Sequence, residues 1–565
     1  MNINREELLF QLALTKTVEE RCAWLDHECN GIRASSGLQR PTPSISMRKR
    51  YLVFIKFRHA TRLAGVVAGC MAYCSLSWSL AASHAEQLLW SATLASGRPN
   101  TASPDLHQLK ARAEQGEPEG QGELGVRYYD GNGVDKDLVE AVKWFRKAAE
   151  QGDPDAAYHL GVCCENGKGL SRNLTEAAQW YLKAAERGHA TAQGALASCY
   201  RNAKGVTQDL EEAVKWERKA AEQGLAQAQY NLGVDYERGA GVRADQAEAA
   251  RWYCKAAEQD NANAQVALGF FYLKGNGVPR DDAEAFKWIA KAAEHGHAGA
   301  QSNLGMFYYR GDGVHQDQIE AVKWFRKAAN QGYPHAQFNL GLAFFNGRGV
   351  PRDEAEAVRW YRRAAEQGYA KAQYNLGYCC ANGQGLPHDD SAAADWYHKA
   401  ANQGLAQAQF NLGLLYLDGI GLSANEAQAV LWFRRAAEQG VADAQYNLGC
   451  AYAYGHGAPD DAEAVRWYRK AAEQGHALAQ YRLGDAYQYG VGTPKDHLAA
   501  CRWLTLASAQ GVAAAGVSLR IVRRGLTADQ IAELEKQARE FRPVGGTTST
   551  EVGTFEFELE SLRPK

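Results

Sequence analysis

Apolar and polar residues follow one pattern that returns along most of this chain. In the copy 336–368, apolar residues recur at helical spacing from Ala336 to Phe345, a glycine-rich turn follows, and a second helical pattern runs to Gly368. Leucine fills the position of Leu340 in eleven copies, and glycine follows it in ten. Because a glycine inside a helix costs about 1 kcal/mol relative to alanine, its recurrence predicts that a second helix approaches closely there. The predicted unit is therefore an antiparallel helical hairpin, with a helix A and a helix B.

Tryptophans in helix B show the period of the pattern. Eleven of them are 36 residues apart, with one interval of 35. They are Trp144, Trp180, Trp216, Trp252, Trp288, Trp324, Trp360, Trp396, Trp432, Trp467 and Trp503. A fixed period of 20–50 residues is typical of a solenoid, in which each unit buries its apolar face only against its neighbours. The sequence therefore predicts an all-α solenoid of about eleven hairpins.

Polar residues and glycines predict where the helices begin and end. Asp353 stands seven residues before Trp360, and all eleven copies have Asp or Asn there, as a helix N-cap favours. Glutamate three residues later completes a capping-box pattern in eight copies. The second glycine of the turn, Gly349 here, recurs in every copy and predicts a positive φ. In the third copy Ala197 and Ala203 replace glycines, so we expect looser packing there.

These residues resemble the Sel1-like repeat, a relative of the tetratricopeptide repeat. The resemblance lies in Ala-Gln-x-x-Leu-Gly-x-x-Tyr, Gly-x-Gly-Val, Glu-Ala-Val-x-Trp and Lys-Ala-Ala-Glu-Gln-Gly, repeated eleven times. It implies a right-handed α-superhelix that acts as an adaptor or scaffold for protein partners. Bacterial members are often exported and act in envelope assembly or host contact, which makes peptidoglycan-associated proteins a class of candidate partner. The resemblance indicates the fold far more strongly than the partner.

By analogy with tetratricopeptide repeats, partners would bind a concave face lined by helix A. The positions are three before, one after and four after the Leu-Gly glycine, and they are most apolar in the later repeats. The predicted partner-binding residues are Phe338, Leu342, Phe345, Tyr374, Tyr378, Phe410, Leu414, Leu417 and Tyr446. This aromatic groove would accept a peptide or helix. The alternative is that an aromatic residue before Asn-Leu-Gly is part of the repeat consensus and packs on the adjacent hairpin.

The rest of the chain divides into short segments around the array. They are a helical N-terminal extension (1–46), a signal peptide or membrane anchor (47–85), a linker (86–104), the array (105–511), C-terminal capping helices (512–541) and a flexible tail (542–565). Basic residues from Arg48 to Arg62, the uncharged run Leu63–Ala82 and Ser83-His84-Ala85 are typical of an export signal, and Met47 stands where such a signal would start. The run is also long enough to remain as a membrane anchor. A lipidated Cys70 and a buried helix in a cytosolic protein are the other interpretations.

Composition and motifs indicate no reaction centre. The net charge is −2, from 63 Lys+Arg and 65 Asp+Glu, so we expect no nucleic-acid partner. The eight array cysteines lack zinc-site spacing and a regular disulfide pattern, and no cofactor-binding motif occurs, so we expect no metal, no cofactor and no enzyme. The pair His295 and His297 falls in a turn and is a weak metal candidate. The leading hypothesis is a bacterial envelope adaptor. The alternatives are a cytosolic signalling scaffold and, with less support, an enzyme or enzyme inhibitor.

Overall fold

The computed structural model describes residues 106–455 and 459–544. Those residues form 25 α-helices and no strand. The helices are α1 (Leu106–Glu114), α2 (Pro118–Asp130), α3 (Leu138–Glu150), α4 (Pro154–Asn166), α5 (Leu174–Glu186), α6 (Ala190–Asn202), α7 (Leu210–Glu222), α8 (Ala226–Arg238), α9 (Gln246–Glu258), α10 (Ala262–Lys274), α11 (Asp282–Glu294), α12 (Ala298–Arg310), α13 (Gln318–Asn330), α14 (Pro334–Asn346), α15 (Glu354–Glu366), α16 (Ala370–Asn382), α17 (Asp390–Asn402), α18 (Ala406–Asp418), α19 (Glu426–Glu438), α20 (Ala442–Tyr454), α21 (Asp461–Glu473), α22 (Ala477–Tyr489), α23 (His497–Ala509), α24 (Ala513–Arg523) and α25 (Ala528–Glu540). The all-α prediction is confirmed for this part of the chain.

The described helices fall into two compact units. One holds residues 106–336 and the other holds the described residues from 337 to 544. The even-numbered helices α2 to α22 are the A helices of eleven hairpins, and the odd-numbered helices α3 to α23 are their B helices. Each of these helices is 13 residues long.

The N-caps of the B helices lie where the sequence predicts them. Asp137 is representative: its side chain accepts hydrogen bonds from the backbone N–H groups of Val139 and Glu140. An Asp or Asn caps all eleven B helices in this way. These bonds satisfy donors that a helix start otherwise leaves unpaired.

The predicted capping box of the B helices is wrong. The glutamate side chain does not return to the N-cap, because a basic residue one turn later pairs with it, as Lys143 does with Glu140 at 2.6 Å. The same pairing recurs in seven B helices. Of the described helices, α25 is the one with a complete capping box, formed by Thr527 and Gln530.

The glycine inside helix A lies against an aromatic side chain of helix B. A Cβ placed on Gly413 would lie 2.7 Å from ring carbons of Phe433, closer than packed carbon atoms come. The predicted close approach of the two helices is therefore confirmed. The third hairpin has Ala197 at this position, and its helix B has Glu217 where the hairpin of Gly413 has Phe433. Ala197 is fully buried, and the looser packing expected of the third hairpin stays a prediction.

The turn between helix A and helix B contacts the preceding hairpin. The second glycine of the turn has a positive φ, for example 74° at Gly205. A Cβ on Gly205 would lie 2.1 Å from the carbonyl oxygen of Leu174, the first residue of the preceding helix B. Only glycine meets both requirements, so this position is set by backbone conformation and by stacking between hairpins.

The recurring tryptophan of helix B stacks against a cation of the same helix. Lys219 Nζ lies 3.7 Å from the ring centroid of Trp216. Ten of the eleven tryptophans have a lysine or arginine placed in this way one turn later. In each contact the cation lies over the indole ring, whose face carries the negative part of the ring quadrupole.

Several predicted segments lie outside the described residues. They are the extension 1–46, the signal or anchor segment 47–85 with Leu63–Ala82, the linker 86–104 and the tail beyond residue 544. Among the helices that the structure does describe, none combines the length and the apolar character needed to cross a membrane.

Candidate partner-binding surface

A ladder of glutamine side chains joins successive hairpins and holds the helix A surface in place. The fourth residue of helix A donates to a carbonyl of the preceding helix B, as Gln229 Nε2 does to Ala221 O at 3.1 Å. The glutamine that ends the hairpin's own helix B then donates to the first glutamine, as Gln259 does to Gln229 at 2.7 Å. Nine hairpins have the second bond. The recurrence of these glutamines about 30 residues apart is visible in the sequence, but only the structure shows that they bond to each other.

Two hairpins depart from the ladder. In the second, Ala157 and Arg187 replace both partners. In the fifth, His295 replaces only the donor, and the buried Oε1 of Gln265 has no hydrogen-bond partner among the described residues. In the second hairpin both glutamines are absent, so neither is left unpaired. In the fifth hairpin only the donor is absent, and the buried acceptor loses its partner. The two glutamines therefore act as a unit.

Helix α16 turns only a narrow stripe toward solvent, because it is packed between B helices. In α16 the half-buried or exposed residues past the first turn are Tyr378, Ala381 and Asn382, which are the ninth, twelfth and thirteenth residues of the helix. A partner that contacts helix A must therefore do so mainly through these positions.

Six of the nine predicted partner-binding residues are buried. Their exposed fractions are 2% for Phe338, 0% for Leu342, 9% for Phe345, 3% for Tyr374, 1% for Phe410 and 3% for Tyr446. Four of these residues stand at the fifth position of a helix A: Phe338, Tyr374, Phe410 and Tyr446. Each packs on the aromatic residue of its own helix B, with ring centroids 5.6–6.0 Å apart. These six side chains belong to the core in this structure, which agrees with the alternative of a consensus packing position. The aromatic groove predicted from the sequence therefore does not include these six residues.

The other three predicted residues, Tyr378, Leu414 and Leu417, are half-buried on the helix A stripe. Tyr378 lies on α16, and the two leucines lie on the next helix A, α18. Leu417 also lines a small apolar cleft with Phe433 and Cys450, whose volume of about 20 Å³ is close to that of one water molecule. The structure therefore brings these residues onto one apolar stripe of the unit 337–544, not into a deep pocket.

The matching stripe of the unit 106–336 is polar in its early repeats. Lys204 Nζ lies 3.0 Å from Glu165 Oε1, and the hydroxyl of Tyr181 donates to Glu165 Oε2 at 2.8 Å. Lys168 Nζ donates to the hydroxyl of Tyr129 at 2.7 Å. These ends of helix A are already cross-linked by polar contacts, which makes them poorer apolar docking surfaces than Leu414 and Leu417.

A buried charge cluster replaces the aromatic packing of the third hairpin. Arg201 makes two hydrogen bonds to Asp235, at 2.5 and 2.8 Å, and one to Glu217 at 3.4 Å. Glu217 also accepts a bond from Asn231 at 3.0 Å. The exposed fractions of Glu217 and Asp235 are 1% and 0%, and burial raises the pKa of Glu217 to about 7. Two carboxyl groups share one guanidinium here. A proton bound to one of them lowers the free-energy cost of burying both carboxyl groups beside a single positive charge.

The histidines and cysteines of the array have structural surroundings. His297 caps α12, because its Nδ1 accepts the backbone N–H of Ala300 at 3.1 Å, whereas His295 is exposed. The array cysteines are free thiols, and burial raises the pKa of Cys379 to about 12. Within residues 106–455 and 459–544, no group of three or more His, Cys, Asp or Glu side chains is arranged to hold a metal ion.

Hairpins of two 13-residue helices with this glycine-to-aromatic contact and glutamine ladder define the Sel1 class of helical repeat. The Sel1 repeat model matches the chain eleven times without a gap, at 118–153, 154–189, 190–225, 226–261, 262–297, 298–333, 334–369, 370–405, 406–441, 442–476 and 477–512. The chain belongs to the Sel1 repeat family. Proteins of this family generally mediate protein–protein interactions, and their fold is typically a non-catalytic scaffold.

The chain is similar to two solved structures and one curated protein. A protective antigen present in uropathogenic Escherichia coli strains, displaying an SLR fold, is 39% identical, with a TM-score of 0.65 over 80% of this chain and 100% of that chain. A Sel1 repeat protein from Oxalobacter formigenes is 33% identical over 63% of this chain and 97% of its own, with a TM-score of 0.46. The secretory immunoglobulin A-binding protein EsiB of Escherichia coli O6:H1 is 50% identical over 50 residues, which is 9% of this chain and 10% of that protein. The match to EsiB thus spans about a tenth of its length, while the family match and the first structure confirm the all-α solenoid.

Proposed function

We propose that this chain is a non-enzymatic adaptor that binds a protein partner through the helix A stripe of the unit 337–544. The observation that carries this proposal is the position of Tyr378, Leu414 and Leu417, large apolar side chains left half-buried on two successive A helices. The glutamine ladder braces those hairpins, with Gln403 donating to Gln373 at 2.7 Å. A rigid apolar stripe of this kind suits a peptide or a helix laid across neighbouring A helices, because little ordering entropy is lost on binding.

We further propose that the array is exported and acts in a bacterial cell envelope. The support is the signal-like segment 47–85, together with the similarity to a protective antigen of uropathogenic Escherichia coli. A retained Leu63–Ala82 would anchor the chain in the membrane, and peptidoglycan-associated proteins would then lie within reach as partners. Cell fractionation with N-terminal sequencing tests this proposal. A mature chain that begins near Glu86 supports export, whereas a full-length chain in the cytosol favours the cytosolic scaffold.

The helix A stripe is tested by substitutions at its half-buried leucines, with helicity as the check on folding. We expect Leu414→Ser/Leu417→Ser to lose partners that the wild-type chain captures from an envelope extract. Leu431→Ser is the matched control, because Leu431 is a leucine 40% exposed on a B helix. Phe338 and Phe410 are unsuitable for this test, since polar substitutions there would damage the core. If the double variant has wild-type helicity and captures the same proteins as the control, the stripe is not the binding surface.

A further inference from the structure

Helix α24 occupies the place of helix A in a twelfth hairpin. It follows α23 through a turn at Gly511, whose φ of 83° matches the turns that precede the other A helices, such as 87° at Gly475. It also lies beside the previous helix A, because Ser518 Oγ donates to Asp485 Oδ1 of α22 at 3.0 Å. The array therefore continues by one helix beyond the eleven matched repeats.

The face of helix A that meets its own helix B is defined by the fifth and eighth residues. In α16 these are Tyr374, which is 3% exposed, and Gly377, where an added Cβ would lie 3.0 Å from Tyr397 of helix B. The equivalent residues of α24 are Val517 and Arg520. Both would face a helix B of the twelfth hairpin.

Helix α25 does not take that place. It packs on α23, where Phe541 just beyond its end meets Trp503 edge-on, with ring centroids 6.2 Å apart. It contacts α24 through a 2.7 Å ion pair between Glu535 and Arg523 and through Leu534, which shares a buried cluster with Leu519 and Val522, on sides of α24 away from Val517. The face of α24 that a helix B would cover is left open by the described residues.

The open face is a continuous stripe of alternating apolar and basic residues. Val517 is 39% exposed and Ile521 is 50% exposed, whereas the fifth residues of α16, α18, α20 and α22 are at most 5% exposed. Arg520 and Arg524 are exposed beside them, and neither forms an ion pair with any described residue. Arg520, Ile521 and Arg524 follow Val517 by three, four and seven residues, so all four side chains lie on one side of the helix. The neighbouring carboxylates Asp485 and Glu535 are bound to Ser518 and Arg523.

We propose that Val517, Arg520, Ile521 and Arg524 form a docking face for an acidic amphipathic helix of a partner protein, laid where helix B of a twelfth hairpin would lie. The apolar pair would pack on the incoming helix, as the fifth residue of helix A packs on an aromatic residue of helix B in the seventh to the tenth hairpins. Arg520 stands where ten hairpins have a glycine, so an incoming helix must meet a guanidinium instead of approaching closely. Carboxylates on that helix would pair with Arg520 and Arg524, whereas a neutral or basic helix would leave the two charges desolvated or repelled. This face differs from the stripe of the proposed function, so either proposal can fail alone.

The proposal is tested with two synthetic helical peptides of about 18 residues, a length at which isolated helices form in water. Both carry leucines along one side, and the other side is glutamate in one peptide and lysine in the other. Fluorescence anisotropy with the full chain measures binding, and hydrogen exchange locates it. We expect the glutamate peptide to bind and to protect amides of 513–524. Arg520→Glu/Arg524→Glu and Val517→Ser/Ile521→Ser should each weaken binding at least tenfold.

The matched control is Arg243→Glu/Lys274→Glu, which reverses two exposed charges in the unit 106–336. It should leave the affinity within about twofold of wild type. The proposal is overturned if the glutamate peptide does not bind, if the lysine peptide binds as well, if protection falls on the basic B helices, or if Arg520→Glu/Arg524→Glu binds normally. Self-association of the chain that Ile521→Ser abolishes would also overturn it, because the occupant would then be a second copy.

Discussion

Replacing His295 with glutamine should restore the missing bond of the glutamine ladder in the fifth hairpin. The buried Oε1 of Gln265 has no donor there, whereas the preceding hairpin has Gln259 Nε2 at 2.7 Å from Gln229 Oε1. His295 is exposed and forms no described ion pair, so its removal breaks nothing else. The glutamine of His295→Gln would sit at the C-cap of α11, as in the intact hairpins.

The expected gain follows from the cost of an unsatisfied buried acceptor. That cost is about 1–3 kcal/mol, and a net hydrogen bond contributes about 0.5–1.5 kcal/mol. We therefore expect His295→Gln to stabilise the fifth hairpin by about 1–2 kcal/mol, which corresponds to about 5–30-fold slower opening. Because a repeat array opens locally, the assay is amide hydrogen exchange in α10 and α11 by mass spectrometry.

Two controls separate this bond from other effects. His295→Ala removes the imidazole without supplying a donor and should leave exchange in α10 and α11 unchanged. Gln331→His recreates the defect in the sixth hairpin, where Gln331 now donates to Gln301 at 2.8 Å, and should speed exchange there. Equal protection by His295→Gln and His295→Ala would refute the reasoning.

Three further substitutions test other parts of the architecture. Gly413→Ala should lower the free energy of unfolding, measured in urea, by about 1–3 kcal/mol, because the added Cβ would overlap Phe433. Phe433→Leu in the same chain should recover part of the loss. Full stability of Gly413→Ala alone would contradict the steric argument. The raised pKa of Glu217, about 7 in the folded state against 4.5 for the ordinary group, means that the folded state holds the proton more tightly. The contribution of Glu217 to the free energy of unfolding should therefore be largest below pH 4.5 and fall by at most about 3 kcal/mol as the pH rises to 7. Urea titrations of the wild type and of Glu217→Gln at several pH values isolate this contribution as the difference between the two chains. Ala203→Gly should stabilise the folded chain by about 1 kcal/mol and raise its melting temperature, because glycine adopts the φ of 55° at this position without strain. An unchanged melting temperature would contradict this expectation.

Local features of the hairpin were predictable because they depend on residues close in sequence. Asp353 and its equivalents cap B helices through backbone groups two or three residues away. The second turn glycine has a positive φ in its ten described copies, which its recurrence in the sequence predicts, whereas its contact with the preceding hairpin, such as Gly205 against Leu174, joins residues far apart in sequence. The capping box of the B helices did not form because of a local competition that the sequence also contains: a cation such as Lys143 stands one turn after seven of the eight glutamates.

The candidate surface was predicted only in part, because exposure depends on what covers a residue. Phe410 and Leu414 are one turn apart on the same helix, yet Phe433 of helix B covers the first and leaves the second half-buried. Analogy with other helical repeats placed both in one groove.

The repeat period, the helical hairpins, their caps and their turns were determined by the sequence itself, since each depends on spacing and on contacts within a few residues. Tertiary structure decided which apolar residues remain accessible, where the glutamine ladder breaks, and how Arg201, Glu217 and Asp235 come together. It also decided that Val517 and Ile521 stay open at the end of the array. The physical reason is the same in each case: burial and pairing are properties of neighbouring helices, and only the packed chain brings those helices together.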